Sequence, residues 1–85
     1  KEWGQMMNPF TQDIRQLRAL RLEALEAGEW GNFGKETEID AKVFSLVCQM
    51  EAYYKNPDLL KAIMEVLLMS PCELRARMGK PKQCL

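Results

Sequence analysis

EIDAKVFSLVCQMEAYYK, residues 38–55, is the stretch that decides the fold. Its apolar residues recur at steps of four, three, four and three, at Ile39, Val43, Leu46, Met50 and Tyr53. A helical repeat of 3.6 residues places such positions on one side of an α-helix, so the pattern predicts a helix over 38–55, begun by a cap at Thr37. Phe44 and Cys48 fall on the opposite side, and we expect this helix to contact neighbours on two faces.

One further helix is expected before this stretch. It spans residues 9–27, begins at Asn8-Pro9 with Thr11 as an alternative cap, and ends at Gly28. Asparagine caps free backbone N–H groups, proline suits the first helical position, and glycine adopts the left-handed conformation that ends many helices.

Two more helices are expected after it. Asn56-Pro57 begins a helix over 57–69 that is apolar almost all round, as is typical of a helix in a core. Ser70, Pro71 and Glu73 form the signature of a capping box, which predicts a fourth helix over 71–78.

Together the four helices predict a single all-α domain over residues 1–85. We expect a compact four-helix bundle-like domain with a central apolar helix, that of residues 57–69. The ends, 1–7 and 80–85, are expected to be flexible.

Composition limits the class of protein. The chain has 85 residues, of which 47% are hydrophobic and 28% charged, with a net charge of zero, so we expect a soluble domain with one modest core. No apolar run reaches the ~20 residues that cross a bilayer, and the N-terminus does not resemble a secretory signal. We therefore expect no membrane partner and a cytoplasmic or otherwise intracellular location.

The three cysteines, Cys48, Cys72 and Cys84, have spacings that match no metal-binding motif. We expect all three to be reduced, which is typical of a reducing compartment. Cys72 lies at the second position of the fourth helix, where free N–H groups stabilise a thiolate. A reactive thiol and a buried, inert one both remain open for it.

The chain contains no histidine. This excludes nucleophilic devices in which histidine activates a serine or cysteine. Pairs of carboxylates on the helices are interpreted as solvated surface charges. We expect no enzyme, no catalytic residue, no cofactor and no metal site.

A glycine-spaced stretch over residues 28–37 contains Trp30 and Phe33 and is expected to form the longest loop. Long aromatic loops often bind partners. The alternative is that both rings fold back and close the end of the helical core.

Arg21, with Arg18 at its edge, interrupts the apolar stripe of the first helix. An arginine there could reach the carboxylate of a partner. The favoured interpretation is that the stem of Arg21 extends outward to water, or that the helix rolls to use Leu20 and Leu22 instead.

SPCELRARMGKPKQCL, residues 70–85, resembles the first two-thirds of a helix-turn-helix, with Leu74 and Met78 facing inward and Gly79 at the turn. In that family the second helix enters the major groove of DNA. The resemblance implies DNA binding in which Arg75, Arg77, Lys80 and Lys82 neutralise phosphates. Arg75 occupies a position where that family normally has a small residue.

The helix of residues 57–69 has so little polar surface that three partner helices are not expected to cover it. The remaining apolar surface predicts that the chain binds another protein or a second copy of itself as a dimer. We therefore expect a non-enzymatic protein–protein interaction module, an adaptor or regulatory subunit, that uses apolar helical surface and the loop at 28–37. The candidate contact residues are Trp30, Phe33, Arg21, Arg18, Met50 and Tyr54; a DNA-binding regulator is the alternative.

Overall fold

The computed structural model describes residues 10–79, and this range contains four α-helices and no strand. They are α1 (Thr11–Glu29), α2 (Phe33–Tyr54), α3 (Pro57–Leu68) and α4 (Pro71–Arg77). The all-α class and the four expected helices are confirmed. The predicted flexible ends and the Asn8-Pro9 start lie outside the described residues, and Thr11 is the first residue of α1 rather than its cap.

The connection between α1 and α2 differs from the expected loop. It contains only Trp30, Gly31 and Asn32, because α1 continues through Gly28 to Glu29. Gly31 takes a φ of 79°, its N–H donates to the carbonyl of Gly28, and the N–H of Asn32 donates to the carbonyl of Ala27. This pair of hydrogen bonds around a left-handed glycine is the Schellman ending of a helix. The prediction of a loop over 28–37 is therefore wrong, since Gly31 rather than Gly28 ends α1.

The start of α2 also differs from the prediction. Asn32 precedes the helix, and its side chain accepts a hydrogen bond from the N–H of Lys35 at 3.2 Å. The predicted cap, Thr37, lies inside the helix, where its hydroxyl donates to the carbonyl of Phe33. An asparagine directly after a terminating glycine lets one helix end and the next begin within three residues.

The capping residues predicted to begin α3 and α4 are confirmed. Asn56 accepts a hydrogen bond from the N–H of Asp58 at 2.8 Å, with Pro57 in the first turn. Ser70 and Glu73 form the reciprocal hydrogen bonds of a capping box. Lys55, with a φ of 49°, ends α2 directly before Asn56.

Each of the other three helices packs mainly against α1. The central position expected for the helix of residues 57–69 is not observed, because α3 contributes one buried face and leaves the other exposed. On α1, Leu22 is buried and Leu20 is half-buried, while Ile14 and Leu17 of the expected stripe are buried as well. The core is formed by Phe10, Ile14, Leu17, Leu22, Val43, Met50, Leu59, Ile63, Val66 and Leu74.

Candidate interaction surface

The two aromatic residues expected in the loop form an exposed corner between α1 and α2. Trp30 is 87% exposed and Phe33 is 66% exposed, so neither ring closes the end of the core. The prediction that these rings fold back is wrong, because α2 begins at Phe33 and its first turn points that side chain into solvent. We call Trp30 and Phe33 the aromatic corner.

Phe33 also begins an uncharged stripe that runs along α2. Successive members are three or four residues apart and all are exposed: Phe33, Thr37, Ala41, Phe44 and Cys48. Phe44 is 71% exposed and lies eleven residues after Phe33, which is close to three full turns. We call these five residues the outer face of α2. A helix with one face in the core normally presents charged side chains on the other, and this stripe presents none.

The opposite face of α2 explains why the stripe cannot turn inward. Ile39, Val43 and Met50 are buried on that side. The partner-contact role expected for Met50 is therefore wrong, since its side chain is 2% exposed and belongs to the core. The sequence showed apolar residues on two sides of α2. Within the described part of the chain, the other helices cover only one of these sides.

Arg21 of α1 reaches the edge of the outer face, where it forms an ion pair with a residue of α2. Its Nη1 lies 3.4 Å from Oδ1 of Asp40, four residues before Phe44, and both side chains are partly exposed. The Nε atoms of Arg21 and Arg18 are buried with no hydrogen-bond partner in the described part of the chain. The Arg21–Asp40 pair is itself partly exposed and remains within reach of a partner.

Tyr54 lies at the far end of α2, beside an open groove of about 510 Å³. Its hydroxyl donates a 2.6 Å hydrogen bond to Oδ2 of Asp13, and this bond is the main reason that the pKa of Tyr54 is raised. The groove is lined mainly by apolar atoms and is too open to enclose a substrate; its lining residues are Asp13, Leu46, Gln49, Met50, Ala52, Tyr53 and Tyr54.

A second apolar surface lies on α3. Leu60, Met64 and Leu68 are 53%, 48% and 77% exposed and follow one another at four-residue steps. We call them the α3 strip. They are the surface that the three other helices leave uncovered, as the sequence predicts for its third helix.

Arg75, the first DNA-contact candidate, is tied to α1. Its guanidinium lies 3.1 Å from Oε2 of Glu26 and 3.2 Å from Oε1 of Glu29, and its side chain is only 14% exposed. A phosphate would have to replace two carboxylates there. Arg77 is exposed on α4, whereas Lys80 and Lys82 lie outside the described residues.

The expectation of three reduced cysteines is wrong. Cys72 is disulfide-bonded, whereas Cys48 is a free, exposed thiol. Sequence spacing could not reveal this, because the path of the folded chain decides which sulfurs meet. Cys72 is therefore not a free nucleophile in this structure.

Residues 10–79 contain no three His, Cys, Asp or Glu side chains that lie close enough together to hold a metal ion. None of the helices in this range is long and apolar enough to cross a bilayer.

Comparison with known proteins gives no further indication. No family model, curated protein or solved structure matches the chain. Its functional reading therefore rests on the exposed surfaces described above.

Proposed function

We propose that this domain is a non-enzymatic protein–protein interaction module, an adaptor or regulatory subunit, which holds a partner on the outer face of α2 and the aromatic corner. The observation that carries the proposal is the exposure of Phe33 and Phe44 on a stripe without charge. Solvent-exposed helix faces are normally polar, and contiguous apolar patches on small domains usually mark binding sites.

The shape of the stripe indicates the kind of partner. Thr37 and Ala41 lie between Phe33 and Phe44 and are small, and small side chains allow a second helix to approach closely between the two rings. An amphipathic helix of the partner would therefore place its apolar face along α2. Aromatic residues are also the commonest anchors of protein interfaces, which suits Trp30.

The border of the stripe supplies polar contacts. The ion pair between Arg21 and Asp40 is half-exposed, so a carboxylate of the partner could share the Arg21 guanidinium without leaving a buried charge. Polar pairs at the rim of an interface contribute mainly to orientation and specificity.

Single substitutions on the outer face test this proposal. Phe44→Ala and Phe33→Ala are introduced into the full chain, and Tyr53→Ala is the matched control because Tyr53 is an exposed aromatic of α2 that lies off the outer face. Each tagged protein is incubated with an extract of its source cells, and bound proteins are quantified by mass spectrometry. We expect one specific partner to be retained by the wild type and the control and reduced at least about ten-fold by either phenylalanine variant.

One outcome of the same experiment would contradict the proposed function. The proposal is wrong if the Phe33 and Phe44 variants, with unchanged helical content by circular dichroism, retain the same bound proteins as the wild type. Unchanged folding is expected because neither ring is in the core.

DNA binding receives no support from a specific observation. Arg75 is already paired with Glu26 and Glu29, so one of the four charges expected to contact phosphates is engaged within the chain. The expected reducing location rested in part on three reduced cysteines, and Cys72 is not reduced in this structure.

A further inference from the structure

The α3 strip is a separate surface from the outer face of α2. Leu60, Met64 and Leu68 lie on an exposed side of α3, next to the buried side formed by Leu59, Ile63 and Val66. None of the three belongs to the core of its own chain. A partner that covered them would remove three large apolar groups from water.

Charges lie along one border of this strip only. Lys61 and Glu65 are exposed, one helical turn apart, and neither forms an ion pair with a described residue. Half-buried Leu67 lies on the other border. The surface thus has an apolar centre, one border with both signs of charge, and one apolar border.

We propose that the α3 strip is the interface with a second copy of this chain, with the two α3 helices antiparallel about a two-fold axis at Met64. At 1.5 Å per residue, Leu60 and Leu68 lie about 6 Å on either side of this axis. Each Leu60 therefore meets Leu68 of the partner subunit, and the two methionines meet each other.

The same axis makes the charges complementary. In an antiparallel pair of helices, equivalent borders face each other, so Lys61 faces the border that contains the partner's Glu65. Their Cα positions differ by only about 3 Å along the axis, which is within reach of the two side chains. Two-fold symmetry forms the same pair twice.

A parallel arrangement would lose this complementarity. Parallel helices bring opposite borders together, so Lys61 and Glu65 would face the apolar border of the second copy at Leu67. Of the two arrangements, only the antiparallel dimer pairs Lys61 with the partner's Glu65 and Leu60 with the partner's Leu68. The sequence and exposure of one twelve-residue helix therefore define the occupant and its direction.

The dimer is expected to be weak. A helix of twelve residues offers less area than the roughly 800 Å² per partner of a standard interface. We expect a dissociation constant on the order of micromolar, and hence exchange between monomer and dimer. This inference does not depend on the proposed function, since the outer face of α2 and the α3 strip share no residue.

Charge reversal with complementation tests the proposal. Lys61→Glu and Glu65→Lys are made separately in the full chain, and the dissociation constant is measured by sedimentation over a concentration series. We expect each variant alone to weaken self-association by about ten-fold, because like charges then face each other twice. Mixing the two variants should restore association to within about three-fold of the wild type, since each charge regains an opposite partner.

Matched controls use an exposed pair of opposite charges with the same four-residue spacing on another helix. Glu38 and Lys42 lie one turn apart on α2, so Glu38→Lys and Lys42→Glu change the charge of one helix equally without touching α3. These controls should dimerise as the wild type does.

Three outcomes would overturn the dimer. They are a wild type that remains monomeric at hundreds of micromolar, single variants that associate as well as the wild type, or a mixture that stays monomeric. A wild type that stays monomeric but captures its partner would reject this inference and leave the proposed function standing. A wild type that dimerises but captures no partner would do the reverse.

Discussion

The hydroxyl of Tyr54 donates a 2.6 Å hydrogen bond to Oδ2 of Asp13, which connects the end of α2 to the first turn of α1 across 41 residues. The ring of Tyr54 also packs edge-on against Phe10 at 5.7 Å and against Tyr53 at 4.8 Å. A carboxylate that accepts this hydrogen bond favours the protonated phenol, so the pKa of Tyr54 is raised above its ordinary value of about 10.

Removal of the Tyr54 hydroxyl should therefore destabilise the fold in a pH-dependent way. The group has a raised pKa in the folded state, so its contribution is complete below pH ~10 and is lost as the pH rises through the folded pKa. We expect Tyr54→Phe to lower the urea midpoint at pH 7 and to approach the wild type as the pH rises above ~10. Tyr53→Phe is the control, with a midpoint near that of the wild type; equal midpoints for all three proteins at pH 7 would contradict the prediction.

Gly31 should tolerate substitution far less well than Gly34. Gly31 has a φ of 79°, a conformation that costs a residue with a Cβ about 1 kcal/mol, although nothing lies within 4 Å of the added atom. Gly34 has equally open space but lies inside α2 at ordinary helical φ, where alanine is favoured by roughly 0.5–1 kcal/mol. Urea unfolding should therefore show that Gly31→Ala lowers stability while Gly34→Ala raises it. Shifts of the same sign would be inconsistent with the Schellman ending of α1.

Arg75 should stabilise the contact between α4 and α1. Arg75→Ala leaves the carboxylates of Glu26 and Glu29 without their shared cation, and we expect a loss on the order of 1 kcal/mol in the free energy of unfolding. Arg77→Ala is the control on the same helix and should change the free energy by less than about 0.5 kcal/mol. Equal effects of the two substitutions would mean that the Arg75 pairs do not stabilise the fold.

The cysteines should differ in reactivity. Iodoacetamide applied without a reductant should label Cys48, which is free and exposed, and leave Cys72 unlabelled. Reduction under denaturing conditions should then expose Cys72 to the reagent, and peptide mass spectrometry identifies each site. Labelling of Cys72 in the unreduced protein would instead restore the expectation of reduced thiols.

The helices were predictable where the signal is local. The capping box of Ser70 and Glu73 and the start at Asn56 depend on atoms within four residues, so sequence alone located them. The boundary between α1 and α2 was not predictable in the same way. Gly28 and Gly31 are both plausible endings, and their difference depends on hydrogen bonds that form only when the helix is complete.

The candidate surface was predictable only in part. Apolar residues on two sides of α2 and nearly all round α3 were evident from spacing. Which sides stay exposed depends on how α1 contacts the other helices, and single-chain periodicity does not contain that information. Met50 and Phe44 illustrate the difference, because both are large and apolar and only their direction from the helix axis separates core from surface.

Neighbouring residues of the three-residue connection between α1 and α2 have separate structural roles. Gly31 supplies the left-handed turn and Asn32 the first hydrogen bond of α2, so the indole of Trp30 has no part in the backbone geometry. Any residue that tolerates a helix end could stand at position 30 without altering the architecture. Under the proposed function, variation at position 30 across related chains should follow the identity of the partner, whereas glycine and asparagine beside it should persist. Substitution at the corner would then change binding without changing the stability of the fold.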